Sequence, residues 1–250
     1  MCDHLLDGEK LTEVNENIKL IQKNNGLTFG TDAYLLAAFM SAQKSATAVE
    51  LGGGTGIISL LCASRHKYAK VYCVEIQESF CDVISRNAKI NGFEEKVVPV
   101  CRDVREIKSA DVGGEVEAVF SNPPYMKVDS GKRNEHDEKF IARHEVCGDI
   151  GDFCAAAKRL LKHGGYFWCV WRPDRLTDLI CALRENSLEP KEICFVHANT
   201  KSAPSMMLVK AKKGAAAGTV IDEPLFLNLD GDPKTLTERA SKIYEECSFK

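Results

Sequence analysis

Val49-Glu50-Leu51-Gly52-Gly53-Gly54-Thr55-Gly56 joins a short apolar run to a cluster of glycines, and the apolar stretch Ile57–Arg65 follows at once. The run Thr47–Leu51 reads as a buried strand and the following stretch as a helix. Glycines at such a strand-to-helix turn let the backbone take positive φ and pass close to a ligand. The spacing is Gly-x-Gly-x-Gly through Gly52, Gly54 and Gly56. A dinucleotide fingerprint would ask for Gly or Ala at position 57, where Ile57 stands, so the loop suits a ligand without a pyrophosphate. The alternative is a tight turn with no ligand.

Outward from the loop the alternation continues. Val71–Ile76 predicts a strand and Glu78–Asn91 a helix stopped by Gly92, with further strands at Val97–Cys101 and Val116–Phe120. Asp152 is placed to cap a helix running to His163, where Gly164-Gly165 would stop it. Tyr166–Trp171 then predicts a strand and Asp174–Asn186 a helix, and Ile193–His197 and Met206–Ala211 two last strands. With no helix between them, those two should pair antiparallel. The expected fold is α/β: a Rossmann-like, mostly parallel seven-stranded sheet with an antiparallel edge strand and helices on both faces.

Three parts are expected: an N-terminal entry segment, 1–46, the core domain, 47–213, and a linker with a C-terminal tail, 214–250. The entry segment holds an apolar helix, Tyr34–Met40. The tail starts at the flexible-looking Gly214–Gly218, has a turn signal at Asp230-Gly231, and shows a capping-box pattern from Thr235 to Glu238.

In 250 residues, 44% are hydrophobic and 28% charged, ordinary for a globular chain with a full core. No apolar run is long enough for a membrane span, and Met1–Lys10 lacks the apolar region of a signal peptide. The eleven cysteines are scattered, with no Cys-x-x-Cys pair, which favours a reduced cytoplasmic protein without a metal site. The net charge of −3 counts against general affinity for nucleic acid.

Glu75 lies nineteen residues past Gly56, at the end of the second strand. A carboxylate there can accept both ribose hydroxyls of a nucleoside. Asp103, after the third strand, can accept from the amino group of an adenine, or can simply be turn chemistry. With Ile76 and Val104 beside these acids, and Glu50 and the glycines at the other end, the set suits S-adenosylmethionine.

Ser121-Asn122-Pro123-Pro124-Tyr125 follows the fourth strand directly. The exocyclic amino nitrogen of a base is a poor nucleophile, because its lone pair is delocalised into the ring. Two acceptors aimed at its N–H bonds draw it toward a tetrahedral form. The Asn122 side-chain oxygen and the Pro123 carbonyl can be those acceptors, held by the fixed φ of Pro123 and Pro124. Tyr125 offers a face for an extruded base. On this reading Asn122→Asp should be a mild change, since a carboxylate also accepts.

These motifs resemble the class I S-adenosylmethionine-dependent methyltransferases that act on planar amino groups. Asn24–Leu36, the stretch Ile141-Ala142-Arg143-His144-Glu145, and the tail from Glu223 to Tyr244 are similar to the bacterial tRNA adenine-N6 methyltransferases, which modify position 37 of tRNA(Val). The resemblance implies that Gly30, Thr31 and Asp32 lie beside the cofactor, that Asn122 also touches it, that Arg143 lies near the active site, and that tRNA is the partner.

From His197 to Lys213 there are four lysines and no acid, namely Lys201, Lys210, Lys212 and Lys213, and these are candidate phosphate contacts. Lys19 and Lys23 form a second acid-free set. The loop Met126–Phe140 mixes both signs of charge and is expected to be mobile. Three other readings stay open: a glutamine-N5 protein methyltransferase, a ribosomal RNA guanine-N2 methyltransferase, and an inactive RNA-binding module of the same fold. Glutamine methyltransferases carry a helical domain for which the 49 residues before Glu50 leave little room.

Overall fold

A computed structural model describes residues 5–24, 29–123 and 148–249. Pro124, Tyr125, Arg143 and the loop Met126–Phe140 lie outside the described residues. The core strands are β3 (Thr47–Leu51), β4 (Lys70–Glu75), β5 (Val97–Cys101), β6 (Val116–Ser121), β7 (Leu161–Trp171), β8 (Leu188–His197) and β9 (Pro204–Lys213). They are hydrogen-bonded in the order β8-β9-β7-β6-β3-β4-β5. Neighbours from β7 to β5 are parallel, whereas β9 runs antiparallel to both β7 and β8. The antiparallel strand therefore sits one place in from the edge, and β8 lies outside it. Two tail strands, β10 (Val220–Ile221) and β11 (Leu225–Phe226), add parallel to β8 and bring the sheet to nine.

Both faces are covered. Along a strand successive side chains point to opposite sides, and the core divides accordingly. Ala48, Phe120, Trp168 and Val170 pack with the helices α1 (Thr31–Phe39) and α2 (Ile57–Ser64) and with Ile84 and Ala88 of α3 (Glu78–Ile90). Val49, Leu51, Val119, Phe167, Cys169 and Trp171 face α4 (Ile150–Leu160) and α5 (Leu176–Glu185) on the other side. Trp168 and Trp171 are both fully buried, on opposite faces. Losing either to alanine would cost about 3–5 kcal/mol. Among the described residues no helix is long and apolar enough to cross a membrane.

Several local expectations are corrected. The cap of α4 is Asp149, which accepts from the Asp152 N–H, while Asp152 accepts in return from the Asp149 N–H. That helix ends at Leu160, three residues before His163. Gly164 and Gly165 lie inside β7, where the pairing with β6 shifts register; a Cβ on Gly165 would stand 3.0 Å from the Glu117 carbonyl. The entry segment also holds a hairpin of β1 (Glu9–Asn15) and β2 (Ile18–Lys23), pinned to α3 by Asn87, which accepts from the Ile21 N–H and donates to its carbonyl. In the tail, a second hairpin (β12, Asn228–Leu229; β13, Asp232–Leu236) brackets the expected turn at Asp230-Gly231. The last helix, α6 (Glu238–Glu246), is capped by Thr237, not Thr235. Thr237 Oγ1 accepts from the Ala240 N–H and donates to the Phe226 carbonyl.

Candidate active site

The chain winds outward from β3 through α2 and α3 to β5, then returns to β6 on the other side of β3. That reversal is where open α/β sheets bind ligands, at the C-terminal ends of the strands. There the ends of β3, β4, β5 and β6 bring together the glycine loop, Glu75, Asp103 and Asn122. Ser121 Oγ donates to the Leu51 carbonyl at 2.7 Å and ties the ends of β6 and β3 together.

Gly52, Gly54 and Gly56 all take positive φ, at +73°, +54° and +79°, a region costly for residues with a Cβ. Gly53 is needed for a different reason: a Cβ there would stand 2.2 Å from Cys73 Sγ. A Cβ on Gly54 would meet nothing within 4 Å, so the loop leaves an open cradle that glycine keeps clear. Glu75 is 6% exposed; its two oxygens accept from the backbone N–H groups of Gly54 (2.9 Å) and Gln77 (3.0 Å). Burial pushes its carboxyl above the usual carboxylate range, partly offset by those two N–H groups.

Glu50 lies beneath the loop, 1% exposed, its Oε2 held by the Ser59 N–H and hydroxyl and by the Cys73 thiol. Burial raises its carboxyl to about 7. Asp103 is claimed by Arg105, whose guanidinium reaches both carboxylate oxygens and lowers the carboxyl's pKa. An adenine amino group would therefore share this acid with Arg105.

The remaining functional side chain is Asn122. Its Nδ2 donates to Asp32 Oδ2 at 2.7 Å, and its Oδ1 is buried with no hydrogen-bond partner among the described residues. Asp32 folds back at the start of α1, its Oδ1 accepting from the Ala33 N–H. A Cβ on Gly30 would come within 2.7 Å of that oxygen, which accounts for the glycine. The start of α1 also meets the tail, where Tyr244 of α6 packs on Tyr34 at 5.4 Å between ring centroids. Sequence reasoning missed this part. Tyr244 entered only as the end of a tail motif, and nothing local couples Asp32 to Asn122.

The lysines divide. Lys201 lies in the turn between β8 and β9, at the same sheet edge as Asn122. Lys210, Lys212 and Lys213 lie toward the opposite edge, paired across from Trp168, Tyr166 and Leu188. Lys210 binds Glu192, Lys212 sits over the Tyr166 ring, and Lys213 caps carbonyls of α4 and β7. Of that run, only Lys201 lies at the end of the sheet that carries Asn122, with β7 and β9 between its turn and β6.

The residues present fit S-adenosylmethionine. The cradle at Gly54 leaves room for a ligand, and each Glu75 oxygen retains acceptor capacity beyond its one N–H. Ile76, apolar and still 36% exposed, supplies beside that acid a surface that a bound adenosine would cover.

The model of the methyltransferase small domain matches residues 24–180, more than half of the chain. The chain is 27% identical to a tRNA1(Val) (adenine(37)-N6)-methyltransferase of Phocaeicola vulgatus, over 78% of this chain and 80% of that protein. It is 26% identical to the protein of the same name from Dyadobacter fermentans, over 88% and 90%. Among solved structures it is similar to a predicted O-methyltransferase of Agrobacterium tumefaciens (TM-score 0.71, 22% identity, 87% of this chain and 97% of that one). A tRNA m1G37 methyltransferase of M. jannaschii is a more distant likeness (TM-score 0.57, 16% identity, 84% and 58%). These structural likenesses agree with the Rossmann-like fold seen here. The match over residues 24–180 makes this chain a member of the methyltransferase small domain family.

Proposed function

We propose that this protein is an S-adenosylmethionine-dependent methyltransferase acting on N6 of an adenine in tRNA, at position 37 of tRNA1(Val) as its relatives are named. The observation that carries the reading is the Asn122 side chain: one end held by Asp32, the other a buried oxygen without a partner among the described residues. A buried acceptor left open costs stability unless a ligand meets it, and an exocyclic amino group supplies the missing donor.

S-adenosylmethionine, when bound, supplies a methyl group activated by a sulfonium. Glu75 would hold its ribose hydroxyls, the Gly52–Gly56 backbone would make room for the methionine part, and Ile76, Val104 and Asp103 would receive the adenine. Asn122 Oδ1 and the Pro123 carbonyl accept the two N–H bonds of the substrate amino group. Those bonds strengthen as the nitrogen becomes tetrahedral, so they favour the transition state over the ground state. Tyr125 and Arg143 act on the extruded base and its strand, and Lys201 on a phosphate. The nine cysteines among the described residues are all free thiols, which fits a reducing cytoplasm.

The test is methyl transfer to unmodified tRNA by the purified protein, read by nucleoside mass spectrometry. N6-methyladenosine at one tRNA site supports the reading; a methylated guanine, or no transfer at all, overturns it.

A further inference from the structure

A primary amide can present either its oxygen or its nitrogen to a substrate, and a half-turn of χ2 exchanges them. The proposed chemistry needs the oxygen. Asp32 is set to make that choice, because a carboxylate has acceptor oxygens and no donor. One of its oxygens accepts from the Ala33 N–H at 3.0 Å and the other from Asn122 Nδ2 at 2.7 Å. A turned Asn122 would aim its own oxygen at that carboxylate and lose the bond. We infer that Asp32 is a positioning residue, which orients the Asn122 amide so that Oδ1 faces the substrate amino group. The inference rests on the reading of Asn122 as the amino-group acceptor. It also gives Asp32 a task other than holding the cofactor.

The backbone around Asp32 is arranged for the task. Gly30 has no Cβ to push the carboxylate away, and the tail helix braces α1 through the Tyr34–Tyr244 ring contact. The catalytic amide is thus fixed from three distant parts of the chain, the entry segment, β6 and the tail.

Exchanging the two residues tests the inference. Asp32→Asn is nearly isosteric but has one acceptor where two are used. If its oxygen keeps the Ala33 N–H, its NH2 faces Asn122 and favours the turned amide. In the exchanged pair, Asp32→Asn with Asn122→Asp, the amide now at position 32 donates to the carboxylate now at position 122, whose other oxygen again faces the substrate. Single-turnover transfer to unmodified tRNA at saturating S-adenosylmethionine should fall roughly 10- to 100-fold in Asp32→Asn. Cofactor affinity by calorimetry should stay within about two-fold of wild type, and the exchanged pair should recover at least about ten-fold over Asp32→Asn. A wild-type rate in Asp32→Asn, a cofactor affinity that falls with the rate, or an exchanged pair no faster than either single variant would overturn the inference. A wild type that transfers no methyl to tRNA would instead overturn the functional reading. The orientation is then read without RNA from the Asn122 side-chain amide proton resonances, which should shift in Asp32→Asn; unmoved resonances would overturn it.

Discussion

Glu75 Oε2 accepts the Gly54 N–H at 2.9 Å, so the acid at the end of β4 also shapes the turn at the end of β3. On the proposed reading, ribose recognition and the glycine cradle are one unit, and a change at Glu75 is felt in both.

Glu75→Gln keeps the shape but removes one acceptor, setting an NH2 against the N–H of Gly54 or Gln77. Hydrogen bonds to charged groups are worth about 1.5–3 kcal/mol, so S-adenosylmethionine affinity should weaken roughly ten- to a hundred-fold. Calorimetry measures this directly, and an unchanged dissociation constant would remove Glu75 from the ribose site.

The glycines separate stability from ligand binding. Gly53→Ala drives a methyl group into Cys73 Sγ, and overpacking of this kind costs about 1–3 kcal/mol. It should lower the melting temperature without ligand, and adding Cys73→Ala should restore it. Gly54→Ala meets no atom but adds strain of about 1–2 kcal/mol at φ +54°. Its methyl group projects into the cradle, so its loss of cofactor affinity should exceed that of Gly53→Ala. Equal effects of the two on affinity would contradict the cradle.

Glu50 gives stability a pH dependence of known sign. Its folded value of about 7 lies above its ordinary value of 4.5, so between these the folded state keeps a proton that the unfolded state has lost. Stability is fully present below about pH 4.5 and falls as pH rises to 7, by about 3 kcal/mol, then levels. Glu50→Gln, neutral throughout, should flatten most of this slope in melts from pH 5 to 8. A residual slope of the same sign is expected from Glu75, which burial also raises. An unaltered slope in Glu50→Gln would show that the proton is held elsewhere.

Lys201 and Lys210 should behave differently toward RNA. Lys201→Ala removes a cation from the active-site edge, and tRNA affinity should drop with a salt slope smaller by about one. Lys210→Ala breaks a pair with Glu192 far from that edge, and should leave both quantities unchanged. Matching losses would move the RNA track across the sheet.

How far the sequence carries depends on whether a feature is local. The strands were legible because β3, β4 and β6 are mainly apolar runs, with single acids at Glu50, Glu75 and Glu117, between glycine, proline and polar boundaries, much as buried parallel strands are. Gly164-Gly165 misled, since the same pair that ends a helix also permits a register shift in a strand, and only the partner β6 decides between them. The hairpin of β1 and β2 was hidden by its composition: Glu9-Lys10-Leu11-Thr12-Glu13 is half exposed and takes its order from pairing with β2. Asn122 stood out because two prolines directly after an apolar strand are rare chemistry. Asp32 was reached only through the family resemblance, as a neighbour of the cofactor; its tie to Asn122 is a hydrogen bond across ninety residues that no spacing rule encodes.

Asn122 is where that tertiary contact changes an expectation. Asn122→Ala should remove the acceptor and lower single-turnover methyl transfer by about 10²–10³, with cofactor binding kept. From the sequence, Asn122→Asp promised to be mild, because a carboxylate still accepts from an amino group. In the structure a carboxylate at 122 would stand against Asp32 at hydrogen-bond distance, and two such charges do not both stay ionised: one pKa of the pair is strongly raised. Above that raised value the side chains repel and the acceptor is displaced; below it one proton bridges them and the free oxygen of the carboxylate at 122 regains the place of Oδ1. Asn122→Asp should therefore be impaired severely at pH 8 and recover as pH falls toward 6, whereas Asn122→Ala stays flat over that range. The measurement is single-turnover transfer to unmodified tRNA across pH for wild type and both variants. An Asn122→Asp protein as active at pH 8 as at pH 6 would mean that Asp32 does not face this side chain in solution.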